Sequence, residues 1–154
     1  MDLAKIKEIV RRKPLFFLLV SIVYLVLVGL LRWGIRPTLG EGAFFVGGII
    51  GVYFLDVAEV FFNLNPSPFR SIVFATSFVA MSFFVVTSSG STLAGGLVLS
   101  LYLVMILWQI GEWQIQGNVN SWYRMVAGPV SVPVQRWILI GFIILFFIVT
   151  GLFI

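Results

Sequence analysis

Five runs of roughly twenty mostly apolar residues recur along this chain, each bounded by charge, proline or a polar cluster; that is the length a helix needs to cross about 30 Å of hydrocarbon. The runs cover 14–31, 42–62, 71–86, 93–110 and 137–154. Composition points the same way. The chain is 60% hydrophobic and 10% charged, whereas soluble domains average roughly 45–50% apolar residues and about 25% charged ones. The expected fold class is an all-α integral membrane protein, a single helical domain over residues 1–154, multi-pass in a plasma or inner membrane.

The first run follows Lys5, Lys7, Arg11, Arg12 and Lys13 and precedes Arg32, Trp33 and Arg36. Pro14 suits a first helical turn, where a missing N–H is no loss. The run is longer than the apolar core of a secretory signal, and no small-x-small cleavage site follows, so a retained span is expected. Ahead of it, Leu3, Ile6 and Val10 recur at helical spacing among the basic residues, with Asp2 placed to cap. Residues 1–13 therefore read as a short cytoplasmic interfacial helix.

The positive-inside rule orients the whole. With the N-terminus cytoplasmic, the inner segments hold Lys5, Lys7, Arg11, Arg12, Lys13, Arg70, Arg124 and Arg136, and the outer ones only Arg32 and Arg36. Five spans then put the C-terminus outside. Trp113, Trp122, Tyr123 and Trp137 fall on the inner boundary, where amphipathic rings settle. Because the net charge of +4 is concentrated beside span ends, it implies anionic headgroups of the lipid bilayer as partner, and no nucleic acid.

Cysteine and histidine are both absent. Disulfides, zinc, haem and iron–sulfur ligation, and Cys or His nucleophile–base chemistry are excluded with them. No catalytic residue and no resident cofactor are assigned.

Within the runs the costly groups are ionisable ones, since a carboxylate near the centre of a spanning helix costs at least about 2.5 kcal/mol. Asp56, Glu59 and Asn63 stand at i, i+3, i+7 on one face of the second run, and Gln109, Glu112 and Gln116 repeat that spacing on the fourth. Both runs point inward, so as neighbours they would gather these six groups around one cytoplasmic pocket. Gly47, Gly48 and Gly51, with Gly95 and Gly96, permit close backbone approach, either within the chain or between copies. No basic residue is expected at the depth of Asp56. It is expected to be protonated, reached by Arg70, hydrogen-bonded to a hydroxyl on the third run, or holding a hard cation or proton. Glu59 and Glu112 are expected to pair with Arg70, Arg124 or Arg136 at the boundary, where these arginines also suit headgroups.

The segments after the two stripes share a pattern: Asn63, Asn65, Ser67, Phe69 and Arg70 against Asn118, Asn120, Ser121, Trp122 and Arg124. A repeat would make spans 2–3 and 4–5 two parallel helical hairpins beside the first span, although shared boundary composition produces the same likeness. The connection 112–136 contains the Pro-rich stretch 127–135, expected to be a surface or re-entrant loop.

Three functional readings follow. The leading one is a non-catalytic helical subunit or self-assembling module, partnered by a membrane protein or by its own copies. The second is an oligomeric transporter or ion-coupling protein, with Asp56, Glu59, Gln109 and Glu112 offering oxygen ligands to a hard cation. The third is a Mg²⁺-dependent enzyme on a lipid-linked substrate, with Asp56 and Glu59 on the metal and Arg70, Arg124 and Arg136 on phosphate.

Overall fold

The structure, a computed structural model, describes residues 2–154; Met1, the first residue of the expected interfacial segment, lies outside them. Six α-helices and a short 3-10 helix form among the described residues, and no strand does. They are α1 (Leu3–Arg12), α2 (Leu15–Trp33), α3 (Leu39–Phe61), α4 (Ile72–Ser88), α5 (Thr92–Gln116), the 3-10 helix (Asn120–Tyr123) and α6 (Val132–Phe153). Helices α2, α3, α5 and α6 are long and apolar enough to cross a membrane; α4, equally apolar, has 17 residues.

Helix starts follow hydroxyl caps. The side chains of Thr38, Ser71 and Ser91 accept from the backbone N–H of Glu41, Phe74 and Ala94 at 3.1, 3.2 and 3.2 Å, supplying partners for amides that have none inside the helix. Asp2 occupies the cap position of α1, but its side chain makes no capping bond. Helix α5 ends at Gly117, whose φ of 70° gives the left-handed turn that glycine adopts freely.

Helix α5 is the axis of the fold, the most covered of the long helices, while α2 leaves most of its surface uncovered by the rest of the chain. Its chief neighbour is α3, and the two run parallel. A methyl group on Gly47 would sit 2.0 Å from the Leu93 carbonyl oxygen, one on Gly51 2.3 Å from that of Leu97, and one on Gly96 2.1 Å from that of Phe44. Only hydrogen fits there, so the backbones touch. Ser100 donates across the contact to the Gly48 carbonyl at 2.8 Å. Gly48 and Gly95 instead make sockets for Leu25 of α2 and Phe153 of α6. All five glycines thus serve packing within one chain.

On the far side, Tyr102 of α5 donates to the Phe142 carbonyl of α6 at 2.8 Å, and its ring meets Phe146 edge-on at 5.2 Å. Tyr24 of α2 reaches Thr150 of α6 at 2.9 Å. The Arg32 guanidinium covers the Phe153 ring and donates to the Phe153 carbonyl, so a cation closes the negative end of α6.

Three expectations are corrected. The run expected to end near Ile110 continues as helix to Gln116, and the one expected from Trp137 begins at Val132. Residues 132–135 are therefore helical and not loop, because Pro133 falls in the first turn of α6, where proline is accommodated. The pairing of spans 2–3 as a hairpin does not form: glycine contact commits α3 to α5, and α4 lies against α5 and α6.

Candidate functional site

The polar groups of α3 and α5 form two layers at the end of the bundle where α1 lies. The deeper layer is an ion pair. Asp56 is fully buried, and Lys13, the residue linking α1 to α2, lies with its Nζ 2.8 Å from Asp56 Oδ2. The same amine donates to the Val52 carbonyl one turn earlier on α3. At 2.8 Å the ammonium and Oδ2 form a close ion pair, while Oδ1 has no hydrogen-bond partner among the described residues. The rings of Tyr53 and Trp108 flank the ammonium at 5.4 and 5.5 Å, a distance at which aromatic faces attract cations.

The expectation that no basic residue reaches this depth is thereby overturned. A lysine at the start of a span ordinarily turns its stem toward water. Here α1 lies against α3, with Ile9 buried and with Leu3, Ile6 and Val10 exposed. That placement sets the Lys13 stem along α3, and Pro14 turns the backbone away into α2.

The shallower layer is an open cleft of about 670 Å³ between segment 62–71, which joins α3 to α4, and the 3-10 helix. Arg12, Glu59, Arg70, Glu112, Ser121 and Arg124 line it. Arg70 donates to Glu59 through Nε to Oε1 at 3.2 Å and Nη2 to Oε2 at 3.3 Å. Arg12 Nη1 lies 3.5 Å from Glu59 Oε2 and also pairs with Glu8 at 2.8 Å. The Arg70 guanidinium stacks 3.9 Å from the Trp108 ring centroid, so one indole serves both layers. Among the described residues Glu112 takes no arginine. Ser121 donates to its Oε1, and Trp122 Nε1 to its Oε2 at 3.0 Å.

Of the six stripe residues, Glu59 and Glu112 share this cleft, while Asp56 lies behind it on Lys13. Gln109 is buried in α5; Asn63 and Gln116 are exposed, Gln116 facing an adjoining hollow with Pro14, Phe17 and Trp108. Arg70 and Arg124 converge on the cleft, whereas Arg136 lines a separate hollow with Trp113 and Trp137. No group of three or more metal-ligating side chains converges among the described residues.

Sequence reasoning missed Lys13, Trp108 and Gln135. Gln135, expected in a surface or re-entrant loop, is buried in the first turn of α6. Its Oε1 accepts from Val119 N at 2.9 Å, and its Nε2 donates to Asn120 Oδ1 at 2.5 Å and to the Val130 carbonyl at 3.0 Å. One amide thus ties both ends of the loop that carries Ser121, Trp122 and Arg124. Comparison with protein-family models, with curated proteins and with solved structures finds no match, so the function is argued from this geometry.

Proposed function

We propose that the chain is a helical membrane subunit that acts by packing, without chemistry of its own. The observation that supports it is internal satisfaction. Asp56 is held by Lys13, Glu59 by Arg70 and Arg12, and Glu112 by Ser121 and Trp122, so each carboxylate of the polar layers has a partner within the chain. Five spans with the N-terminus on the cytoplasmic side complete the reading. Helix α4, at 17 residues, is about 26 Å long at ~1.5 Å per residue, so slight bilayer thinning accommodates it. The large uncovered surface of α2 is what a partner or a second copy covers. Mass measurement of the protein extracted in mild detergent tests the reading: a homo-oligomer or a stable complex supports it, and a lone monomer counts against it.

A second reading, ion or proton coupling at Asp56, is favoured by one observation: a buried carboxylate whose Oδ1 has no partner among the described residues. Its test is ion-dependent flux into proteoliposomes. Loss of flux in Asp56→Asn supports coupling, and unchanged flux removes it.

A further inference from the structure

We infer that the cleft between segment 62–71 and the 3-10 helix binds a phosphate group. Three guanidinium groups and two carboxylates line it, but the charges are not equally available. Both Glu59 oxygens accept from Arg70, and both Glu112 oxygens accept from Ser121 and Trp122. Each carboxylate oxygen thus already takes a donor, and the three guanidinium groups outnumber the two carboxylates. Arg124 is exposed and has no carboxylate within ion-pair distance among the described residues. Arg70 engages Glu59 through Nε and Nη2, which leaves Nη1 without a hydrogen-bond partner among the described residues. The Ser67 hydroxyl accepts from Phe69 N at 3.3 Å and keeps its own proton to donate. A concave site whose guanidinium groups outnumber its carboxylates and which keeps unused N–H and O–H donors suits an anion with several acceptor oxygens, which describes phosphate.

Two further features fit that ligand. The cleft opens at the N-terminus of α4, whose first turn carries the positive end of the helix dipole. It also lies beside α1, whose exposed Leu3, Ile6 and Val10 give the helix an apolar face fit for the headgroup level of a bilayer. Arg124 is held in place indirectly, through the hydrogen bonds by which Gln135 fixes Val119 and Asn120 just ahead of it. The phosphate is that of a lipid headgroup or of a free anion, and the two sources share this recognition. The inference adds a ligand to the membrane subunit proposed above and rests on that reading only for the lipid source.

The test uses the full chain in a neutral detergent with two probes: phosphatidylglycerol, followed by native mass spectrometry against phosphatidylcholine, and inorganic phosphate, followed by calorimetry. Arg124→Gln weakens binding by about tenfold, the loss expected for one charge-assisted contact, while Arg136→Gln, outside the cleft, changes it little. Both variants retain the melting temperature of the parent, since neither arginine is in an ion pair among the described residues. Saturable phosphatidylglycerol binding that inorganic phosphate does not displace assigns the lipid; displacement assigns phosphate itself. Absence of saturable binding by either probe overturns the inference, as does equal weakening by the two variants, which marks diffuse attraction. Resistance of the protein to carbonate extraction from membranes is scored separately, so failure of the membrane reading is distinguishable from failure of the phosphate site.

Discussion

Removing Lys13 should be more damaging than removing Asp56, although the two form one pair. Their side chains are 0% and 1% exposed, so each is the counter-charge of a group that has left water, and breaking such a pair by deleting one partner costs about 3–5 kcal/mol. The partners differ in their means of escape. In Lys13→Met the Asp56 carboxylate is on a short stem, and α3 is pinned by Gly47 and Gly51 against α5, so it stays stranded and the full penalty applies. In Asp56→Asn the ammonium sits on four carbons and can move one turn along α3 toward Glu59, already approached by Arg12, which recovers part of the loss. Replacing both by apolar residues, Lys13→Met with Asp56→Leu, removes the desolvated charges together and should return stability to within about 1 kcal/mol of the parent or above it. Unfolding in detergent, followed by the fluorescence of the five tryptophans, reads these differences as shifts in Tm on the order of 10 °C for Lys13→Met. A Lys13→Met protein that melts with the parent, or a double variant no better than Lys13→Met alone, would show that the pair is not closed in the folded protein.

The remaining predictions concern packing, loop order and topology. Gly47→Ala, Gly51→Ala and Gly96→Ala each drive a methyl group into a backbone carbonyl and should destabilise by about 2 kcal/mol or more. Gly141→Ala, which meets nothing within 4 Å, should be neutral or gain up to about 1 kcal/mol from helix propensity; equal effects at all four positions would refute the α3–α5 contact. Gln135→Ala leaves the Val119 amide without its acceptor and should speed proteolysis within 117–131 before global unfolding, a difference read by timed digestion and mass spectrometry. The chain has no cysteine, so single cysteines at Ser67 and Ser89 report topology directly. An impermeant maleimide should label Ser89→Cys on intact cells and Ser67→Cys only after permeabilisation, and labelling of both from one side would remove the five-span arrangement.

Helix existence was legible in the sequence because it rests on run length, a local quantity. All five runs became helices, and their ends shifted where hydropathy stops while hydrogen bonding continues, as from Ile110 to Gln116 and from Trp137 back to Val132. The glycines announced a close helix contact but not its location, since small residues permit any partner. Gly47, Gly51 and Gly96 proved to join α3 to α5, while Gly48 and Gly95 receive side chains from α2 and α6. The stripes at i, i+3, i+7 drew attention to Asp56, Glu59 and Glu112, which the structure places on Lys13, on Arg70 and Arg12, and on Ser121 and Trp122. They could not supply the partner, because Lys13 lies 43 positions before Asp56 in the chain, and its inward direction depends on how α1 docks.

That docking explains why the polar layers form at all. A charged pair in a low-dielectric interior returns its desolvation cost only when its geometry is held from both sides. Here one side is the glycine contact that fixes α3, and the other is α1, anchored by buried Ile9 and by Arg12 on Glu59. Lys13 and Arg12 are adjacent in sequence yet engage Asp56 and Glu59 at successive turns of α3, so a single end of α1 reaches both acids, with Arg70 completing the pairing of Glu59. Trp108, reached by Lys13 and by Arg70, couples this seam to α5 and to the cleft beyond. Displacing α1 would therefore take the counter-charge from Asp56 and leave Glu59 to Arg70 alone, so the order of the polar layers depends on the helix formed by Leu3–Arg12.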